Sequence, residues 1–261
     1  MSIEALSGKV FLLITGASRG IGRQIATTFG SLLQEGSHIL LLARNINSLQ
    51  EIAKNIPSKV TVHTVSMDLS KASKSDFEGV ILESLKGTTC EAFDRVVVVH
   101  NVGTMGTSKL AKNLSDVNDW KEVYDINFFV PVILNTVIMN IFDDSTNTKK
   151  VIINITSLYA IKGEIGYSQY CSAKAAREMY FKVFALENPD VNVLSYAPGP
   201  VDTDMFVMAC EKAVDSDVKK IFNNLRETNT VLTTEQTVNR LIQVLREHKY
   251  KSADHVDYYE L

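Results

Sequence analysis

The 261-residue sequence has little cysteine and no excess of either charge. Its three cysteines, Cys90, Cys171 and Cys210, are widely spaced and form no CxxC pair, which argues against a disulfide framework and a structural zinc site. Lysine and arginine number 27 against 30 aspartate and glutamate, a net charge of −3. Nothing therefore supplies the basic field that attracts nucleic acids. We expect a protein of a reducing compartment with neither a nucleic-acid partner nor a metal.

Targeting signals and long apolar runs are also missing. The N-terminus, MSIEALSGK, carries an early acid and no basic segment of the kind that opens a signal peptide. The longest apolar stretch, residues 128–142, is interrupted by Pro131, Asn135 and Asn140 and is too short and too polar for a membrane span. The C-terminal YYEL is no lipidation signal. The sequence predicts a soluble, cytoplasmic protein with no membrane association.

What the sequence does contain is short, β-branched apolar runs alternating with stretches of helix length. The predicted strands are residues 10–15, 38–43, 60–65, 95–100, 151–156 and 191–196, with a late strand near 255–258. The predicted helices are residues 21–33, 49–55, 76–85, 120–141 and 170–187, and most of 203–248 is helical in pattern. Continuously apolar strands are typical of parallel sheets covered on both faces. We predict an α/β fold: one domain, residues 1–261, with a doubly wound Rossmann-type parallel sheet flanked by helices.

A glycine-rich loop joins the first strand to the first helix. It reads Thr15-Gly16-Ala17-Ser18-Arg19-Gly20-Ile21-Gly22. Glycine lets the backbone pass close to a pyrophosphate, and a helix N-terminus offers free N–H groups to it. A ligand-free glycine turn is the alternative, but a strand before and a helix after favour a dinucleotide site.

Two arginines favour NADP over NAD. An NAD site usually has an acid about 20 residues past the glycine loop, at the end of the second strand. Here that strand ends at Ala43 and is followed by Arg44, and Arg19 is a second arginine within the loop. Guanidinium groups suit a 2′-phosphate by charge and by forked hydrogen bonding. Alternatively, Arg44 is a solvated strand-end residue.

A serine, a tyrosine and a lysine form the candidate catalytic set. Ser157 ends the strand at 151–156, where open α/β sheets bind ligands, and Tyr170 and Lys174 lie four residues apart on a predicted helix. A nearby ammonium lowers the pKa of a phenol, so Tyr170 could deliver a proton while Ser157 holds the substrate oxygen. Asn127 could support a water-linked proton path. Tyr167 is set aside because Cys171, four residues on, supplies no charge.

Each of these residues also has a purely structural interpretation. A Tyr–Lys pair at helical spacing is usually surface packing, and a serine after a strand is often a helix cap. Asn127 alone would be a polar residue bonded to neighbouring backbone. The order of glycine loop, Asn, Ser and Tyr-x-x-x-Lys along the fold is what favours catalysis.

That order resembles the short-chain dehydrogenase/reductase family over essentially the whole chain. Further matching segments are Asn101-Val102-Gly103, Tyr170-Cys171-Ser172-Ala173-Lys174 and Pro198-Gly199-Pro200. The resemblance implies the tetrad Asn127, Ser157, Tyr170 and Lys174, with Lys174 also touching the nicotinamide ribose. To the cofactor site it assigns Gly16, Ala17, Ser18, Arg19, Gly20, Ile21, Gly22, Ala43, Arg44, Asp68, Leu69, Asn101, Tyr170, Lys174, Val201, Asp202, Thr203, Asp204, Met205 and Phe206. One departure is His100-Asn101-Val102-Gly103, where the family usually reads Asn-Asn-Ala-Gly.

Several segments are similar to the sepiapterin-reducing members of that family. They are Leu158, KAAREM at 174–179, ALENP at 185–189, YAPGPVDTDM at 196–205 and the ending YKSADHVDYY at 250–259. The resemblance implies NADPH-dependent reduction of pterin side-chain carbonyls, the last step to tetrahydrobiopterin, in a homodimer paired through 120–141 and 170–187. It assigns Ser157, Leu158, Tyr170, Gly199 and Asp257 to the substrate. Asp257 would accept hydrogen bonds from the pterin amino and ring N–H groups; otherwise it is an exposed acid in a polar tail.

Two other functions stay open. One is a short-chain carbonyl or 3-oxoacyl reductase of another substrate, for which Asp257 would be incidental. The other is a sensor that binds NADP without turnover. The intact Ser157, Tyr170 and Lys174 argue against the sensor.

Overall fold

The computed structural model describes residues 3–260, and its centre is a seven-stranded parallel sheet. The strands are β1 (Val10–Thr15), β2 (His38–Ala43), β3 (Thr61–Ser66), β4 (Arg95–His100), β5 (Lys149–Ile155), β6 (Asn192–Ala197) and β7 (His255–Asp257). Their order across the sheet is β3-β2-β1-β4-β5-β6-β7. The direction of winding reverses between β1 and β4, and ligands bind at the carboxyl ends of the strands at such a point. The doubly wound parallel fold is confirmed.

Nine α-helices connect and cover the strands of the described chain. They are α1 (Gly20–Leu32), α2 (Ile46–Lys54), α3 (Lys74–Ser84), α4 (Val117–Tyr124), α5 (Val130–Ile141), α6 (Ser168–Glu187), α7 (Asp204–Lys212), α8 (Ser216–Glu227) and α9 (Thr234–Glu247). Helices α2 and α3 begin two or three residues before the predicted starts, because polar caps rather than apolar spacing set them. Asn45 Oδ1 accepts from Ser48 N, and Ser73 forms a capping box with Asp76.

The predicted helix at 120–141 is interrupted by a wider turn. A π-helical segment, Asp125–Phe129, separates α4 from α5 and carries Asn127 into the interior. The whole run, Val117–Ile141, is the one helix within residues 3–260 that is long and apolar enough to cross a membrane. Its Leu134 and Ile138 are fully buried and belong to the core on one face of the sheet. A helix in the core of a soluble protein can be equally long and apolar.

Two apolar layers cover the two faces of the sheet. Along β1, Leu12 and Ile14 pack into the layer formed with α1, α2 and α9, whereas Phe11 and Leu13 pack into the layer formed with α3, α5 and α6. This explains why the inner strands read as nearly continuous apolar runs. A third, smaller cluster, with Tyr167, Phe206 and Phe222, joins α7 and α8 to the start of α6.

Candidate active site

The glycine loop packs against the segment after β4. Gly16 has a positive φ of 66°, and a Cβ on Gly22 would lie 2.4 Å from Gly16 O and 2.6 Å from Asn101 Nδ2. Asn101 Nδ2 in turn donates to Thr15 O at 3.0 Å and Gly16 O at 3.2 Å. Glycine is therefore required at both positions. The turn leaves backbone N–H groups at the start of α1 as the predicted phosphate cradle.

The segment after β6 lies over this loop. A Cβ on Gly20 would lie 3.2 Å from Thr203 Cγ2, and Arg19 Nη1 lies 2.5 Å from Asp204 Oδ2 in an exposed ion pair. Arg19, a predicted reader of the 2′-phosphate, thus binds the first residue of α7. Within the loop Ala17 is buried, whereas the segment Val201, Asp202, Thr203, Asp204, Met205 and Phe206 ranges from buried to exposed.

The predicted adenosine end gathers residues from β2 and β3. Ala43 is buried at the end of β2, and Arg44 follows it with an exposed side chain. Asp68 accepts from Ser70 Oγ at 2.8 Å, which with weaker contributions from Lys71 and Arg44 lowers its pKa. The neighbouring Leu69 is buried. The exposed Arg44 guanidinium therefore lies at the carboxyl end of β2, where its charge acts on Asp68.

The candidate catalytic side chains lie together at the carboxyl end of β5. Ser157 follows β5, and its Oγ accepts from Tyr159 N at 3.1 Å. On α6, Lys174 Nζ lies 5.5 Å from the centre of the Tyr170 ring and donates to Ile155 O at 2.8 Å. Both α6 side chains are buried. The structure thus brings together the residues that the sequence separates by up to 17 positions.

Asn127 reaches the same cluster through the π turn. Its Oδ1 accepts from Thr104 N at 2.9 Å, and its Nδ2 donates to Thr104 O at 2.7 Å. A Cβ on Gly103 would lie 2.8 Å from Asn127 Oδ1 and 3.7 Å from Lys174 Nζ. Asn127 and Lys174 therefore border the same glycine, and no larger residue fits between them.

The electrostatics differ in one respect from the expectation that Lys174 lowers the pKa of Tyr170. Burial raises the pKa of Tyr170 and outweighs both the hydrogen bond with Ser157 and the charge of Arg177, which lower it. Burial, and then the charge of Arg177, hold the pKa of Lys174 well below its ordinary value. Two adjacent buried cations disfavour each other's charge, and neither effect is visible in sequence spacing alone.

A buried charged group behind Tyr170 and Lys174 has no signal of its own in the sequence. Glu178 Oε2 accepts from Thr156 Oγ1 at 2.8 Å and lies 2.9 Å from His255 Nδ1, which joins α6 to β7. The hydrogen bond to Glu178 raises the pKa of His255. Arg177 and Glu178 stand in the KAAREM segment, but nothing in the sequence indicates that α6 turns both inward.

The C-terminal strand brings Asp257 to the carboxyl-end edge of the sheet. Asp257 pairs with Ala197 at the carboxyl end of β6, and its Oδ1 accepts from Tyr259 N at 3.0 Å. Gly199, with φ of 74°, lies beneath Tyr258, whose Cβ would be 3.5 Å from an added Cβ. The half-buried Asp257 therefore lies at the same edge of the sheet as Ser157, two strands away.

Exposed apolar side chains follow Ser157 and continue on α7 and in the link from α7 to α8. They are Leu158, Ile161, Ile165, Met208 and Val214, each at least 42% exposed. We call these five residues the apolar rim. By contrast, Tyr167 is buried and its hydroxyl donates to Ala209 O at 3.3 Å, a structural role.

The His100 substitution changes the core rather than the surface of the site. His100 is fully buried, its ring centre lies 5.3 Å from that of Phe181, and burial lowers its pKa to about 3. Val102 packs partly buried against the same core layer. Among the described residues, no group of three His, Cys, Asp or Glu side chains is arranged to hold a metal ion.

Known proteins resemble this chain over most of its length. Residues 10–213 match the short chain dehydrogenase family. The chain is 32% identical to sepiapterin reductase of Bos taurus, covering 97% of this chain and 96% of that protein. It is 28% identical to benzil reductase ((S)-benzoin forming) of Bacillus subtilis, covering 89% and 92%. A solved short chain dehydrogenase/reductase of Saccharomyces cerevisiae superposes with a TM-score of 0.80 at 26% identity, covering 97% of each chain.

Proposed function

The chain belongs to the short-chain dehydrogenase family, and we propose that within this family of oxidoreductases it reduces a pterin side-chain carbonyl with NADPH. Sepiapterin and 6-pyruvoyl-tetrahydropterin are the proposed substrates, in the final step of tetrahydrobiopterin biosynthesis. One observation carries the proposal. Ser157, Tyr170 and Lys174 converge beside the glycine loop, on the sheet edge that also bears Asp257. Full-length similarity to sepiapterin reductases supports the choice of substrate.

The residues present fit a nicotinamide dinucleotide, the cofactor class of the family. Gly16 and Gly22 leave no space for side chains in the turn, and α1 begins there with unpaired N–H groups. Arg44 would hold the 2′-phosphate, which is why we infer NADP rather than NAD. Arg19 could join it only by leaving Asp204. Bound NADPH would supply a hydride to the carbonyl carbon.

Ser157 and Tyr170 would handle the oxygen of that carbonyl. Both hydroxyls donate hydrogen bonds to the oxygen as negative charge develops on it, an interaction stronger in the transition state than in the ground state. Tyr170 then releases its proton to the oxygen, and the positive charge of Lys174 beside the ring stabilises the resulting phenolate. Lys174, 5.5 Å from the ring centre, can return a proton to the phenolate. Asn127 would hold the far end of that path beside Gly103.

Asp257 would give the pterin its orientation. A carboxylate accepts two hydrogen bonds from neighbouring N–H donors, and Oδ2 of Asp257 is left for this purpose because Oδ1 already accepts from Tyr259 N. A second candidate substrate class is an aryl diketone such as benzil. The apolar rim and the similarity to benzil reductases favour it. A non-catalytic NADP sensor is a third candidate, and it would not need the complete tetrad.

The direct test is reduction of sepiapterin by NADPH, measured as loss of substrate absorbance. Tyr170→Phe removes the proton donor and keeps the ring, so we expect turnover to fall by about 10²-fold or more while NADPH still binds. The matched control is Tyr167→Phe, which removes a hydroxyl at the start of the same helix that donates to Ala209 O instead. Near-normal kcat in Tyr170→Phe would contradict the mechanism. Turnover of benzil but not of sepiapterin would favour the second substrate class. Absence of turnover with both substrates would favour the sensor.

We further propose a cytoplasmic homodimer formed through α5 and α6. Met179, Val183 and Leu186 form an exposed apolar stripe along α6, and Phe129 is exposed at the start of α5. Apolar stripes of this kind mark surfaces that a second chain covers. Isologous pairing of these helices would bury them.

A further inference from the structure

Arg177 is the largest fully buried side chain of the protein's described residues, and the mechanism above gives it no specific role. It lies on α6 three residues after Lys174. Its Nη1 donates to Val102 O at 3.2 Å, and its Nη2 donates to Ile155 O. Lys174 Nζ donates to the same Ile155 oxygen. Two cationic groups therefore meet at one carbonyl, between the end of β5 and the segment after β4.

The groups around Arg177 keep it as the residue that stays positively charged beside Tyr170 and Lys174. On α6 it faces Tyr170, Lys174 and Glu178, with Cys171 beside the tyrosine; on β4 it faces His100, which its low pKa keeps neutral. The acid that acts on Arg177, Glu178, is bonded to Thr156 and His255, and its Oε1 lies 3.3 Å from Lys182 Nζ.

The two cations differ in how readily they lose a proton. Burial lowers the pKa of Arg177 only to about 10, so the guanidinium stays charged at neutral pH. Lys174 carries a stronger tendency to lose its proton. An arginine is hard to deprotonate, whereas a buried lysine shifts readily.

We propose that Arg177 is a positioning residue for catalysis: it supplies the permanent positive charge at the Tyr170–Lys174 pair and fixes the two backbone segments that border it. The inference rests on the proposed role of that pair in carbonyl reduction. Arg177 stabilises the phenolate left when the O–H bond of Tyr170 breaks and the substrate O–H bond forms. Lys174 is then free to pass one ammonium proton to the phenolate and become a neutral amine, because the site does not depend on Lys174 for its charge.

Arg177→Gln and Arg177→Lys separate charge from hydrogen bonding. Glutamine keeps donors but loses the charge, and lysine keeps the charge but loses the fork. We expect the pKa of Lys174 to rise by about one pH unit in Arg177→Gln and by much less in Arg177→Lys. The measurement is NMR of isotope-labelled lysine side chains against pH, with the Lys174 signal assigned by its loss in Lys174→Met.

The pH profile of kcat gives the second readout. Loss of the charge raises the pKa of Tyr170 and of Lys174 together, so the alkaline limit of carbonyl reduction moves to higher pH whichever group it reports. In Arg177→Gln we expect kcat at neutral pH to fall about 10-fold. In Arg177→Lys we expect kcat to recover most of the way to the wild-type value. Lys182→Gln, which removes a cation from the same helix at a half-exposed position, should change neither readout.

Equal pKa values for Lys174 in the wild type and in Arg177→Gln would overturn the inference. So would loss of kcat in both Arg177 variants with an unmoved pH profile, the pattern of a purely structural residue. Thermal unfolding of both variants identifies any failure to fold, and Arg177→Lys keeps the test available if the glutamine variant unfolds. The lysine titration needs no turnover, so an inactive wild-type protein would refute the proposed function and leave the test of Arg177 intact.

Discussion

Replacing Asp257 with asparagine tests whether the protein recognises a pterin. The residue lies on β7, in parallel register with Ala197, and its Oδ1 accepts from the backbone N–H of Tyr259 at 3.0 Å. Asparagine can keep this bond through its own Oδ1, so the tail should retain its conformation. The change then falls on the second oxygen, which becomes an N–H donor directed at the N–H donors of the proposed substrate.

The size of the effect follows from the environment of Asp257. A hydrogen bond to a charged group contributes about 1.5–3 kcal/mol. In Asp257→Asn an N–H donor would face a donor of the bound substrate, which adds the cost of leaving a polar group unsatisfied. Asp257 is half-buried rather than buried, so the full desolvation cost is not expected. We expect a loss of about 2–3 kcal/mol, which is about 30- to 150-fold in kcat/KM for sepiapterin.

The comparison needs two substrates and one control variant. A small diketone without a pterin ring makes no bond with Asp257, so its kcat/KM in Asp257→Asn should change less than about twofold. Asp254→Asn makes the same chemical change three residues earlier, at an exposed position, and should leave both substrates unaffected. An equal loss of kcat/KM for both substrates in Asp257→Asn would show that Asp257 has a structural role. No loss of kcat/KM for either substrate would show that Asp257 does not bind the pterin.

Three further predictions concern cofactor choice, pH-dependent stability and assembly. Arg44→Asp should weaken NADPH binding at least 10-fold more than NADH binding, since a 2′-phosphate would meet a like charge; an unchanged ratio in fluorescence titrations would exclude Arg44 as the reader. Glu178 raises the pKa of His255 in the folded state above its unfolded-state value of about 6.5. The His255–Glu178 pair therefore stabilises the fold fully below about pH 6.5, and this contribution is lost as the pH rises through the folded-state pKa of His255. The destabilisation by His255→Asn in urea unfolding should therefore be larger near pH 6 than near pH 8.5, and equal values would contradict the linkage. Leu186→Glu should convert a dimer to monomers in sedimentation, whereas Leu82→Glu, an equally apolar exposed site on α3, should not.

Local sequence determined the sheet and the loop of this protein. Strands β1, β2, β4, β5 and β6 are largely apolar and buried because both faces of the sheet are covered, whereas the edge strand β3 is only partly buried. All six begin and end within about two residues of their predicted positions. The glycines at 16 and 22 are also predictable from the sequence. Only glycine readily adopts the positive φ at Gly16, and only glycine fits at Gly22, where a Cβ would lie 2.4 Å from Gly16 O. Ser157, Tyr170 and Lys174 were recognisable from their order along an α/β chain.

Tertiary structure determined the pKa values at the site and the positions of Asn127 and Asp257. The pKa values of Tyr170 and Lys174 depend on burial and on Arg177, quantities that helical spacing cannot supply. Asn127 enters the site through a π turn, which apolar periodicity does not encode. Asp257 lies 87 residues beyond Tyr170 in the sequence and reaches the same edge of the sheet only because β7 pairs in parallel with β6. Long-range strand pairing and solvent exclusion are properties of the packed chain, and no local segment carries them.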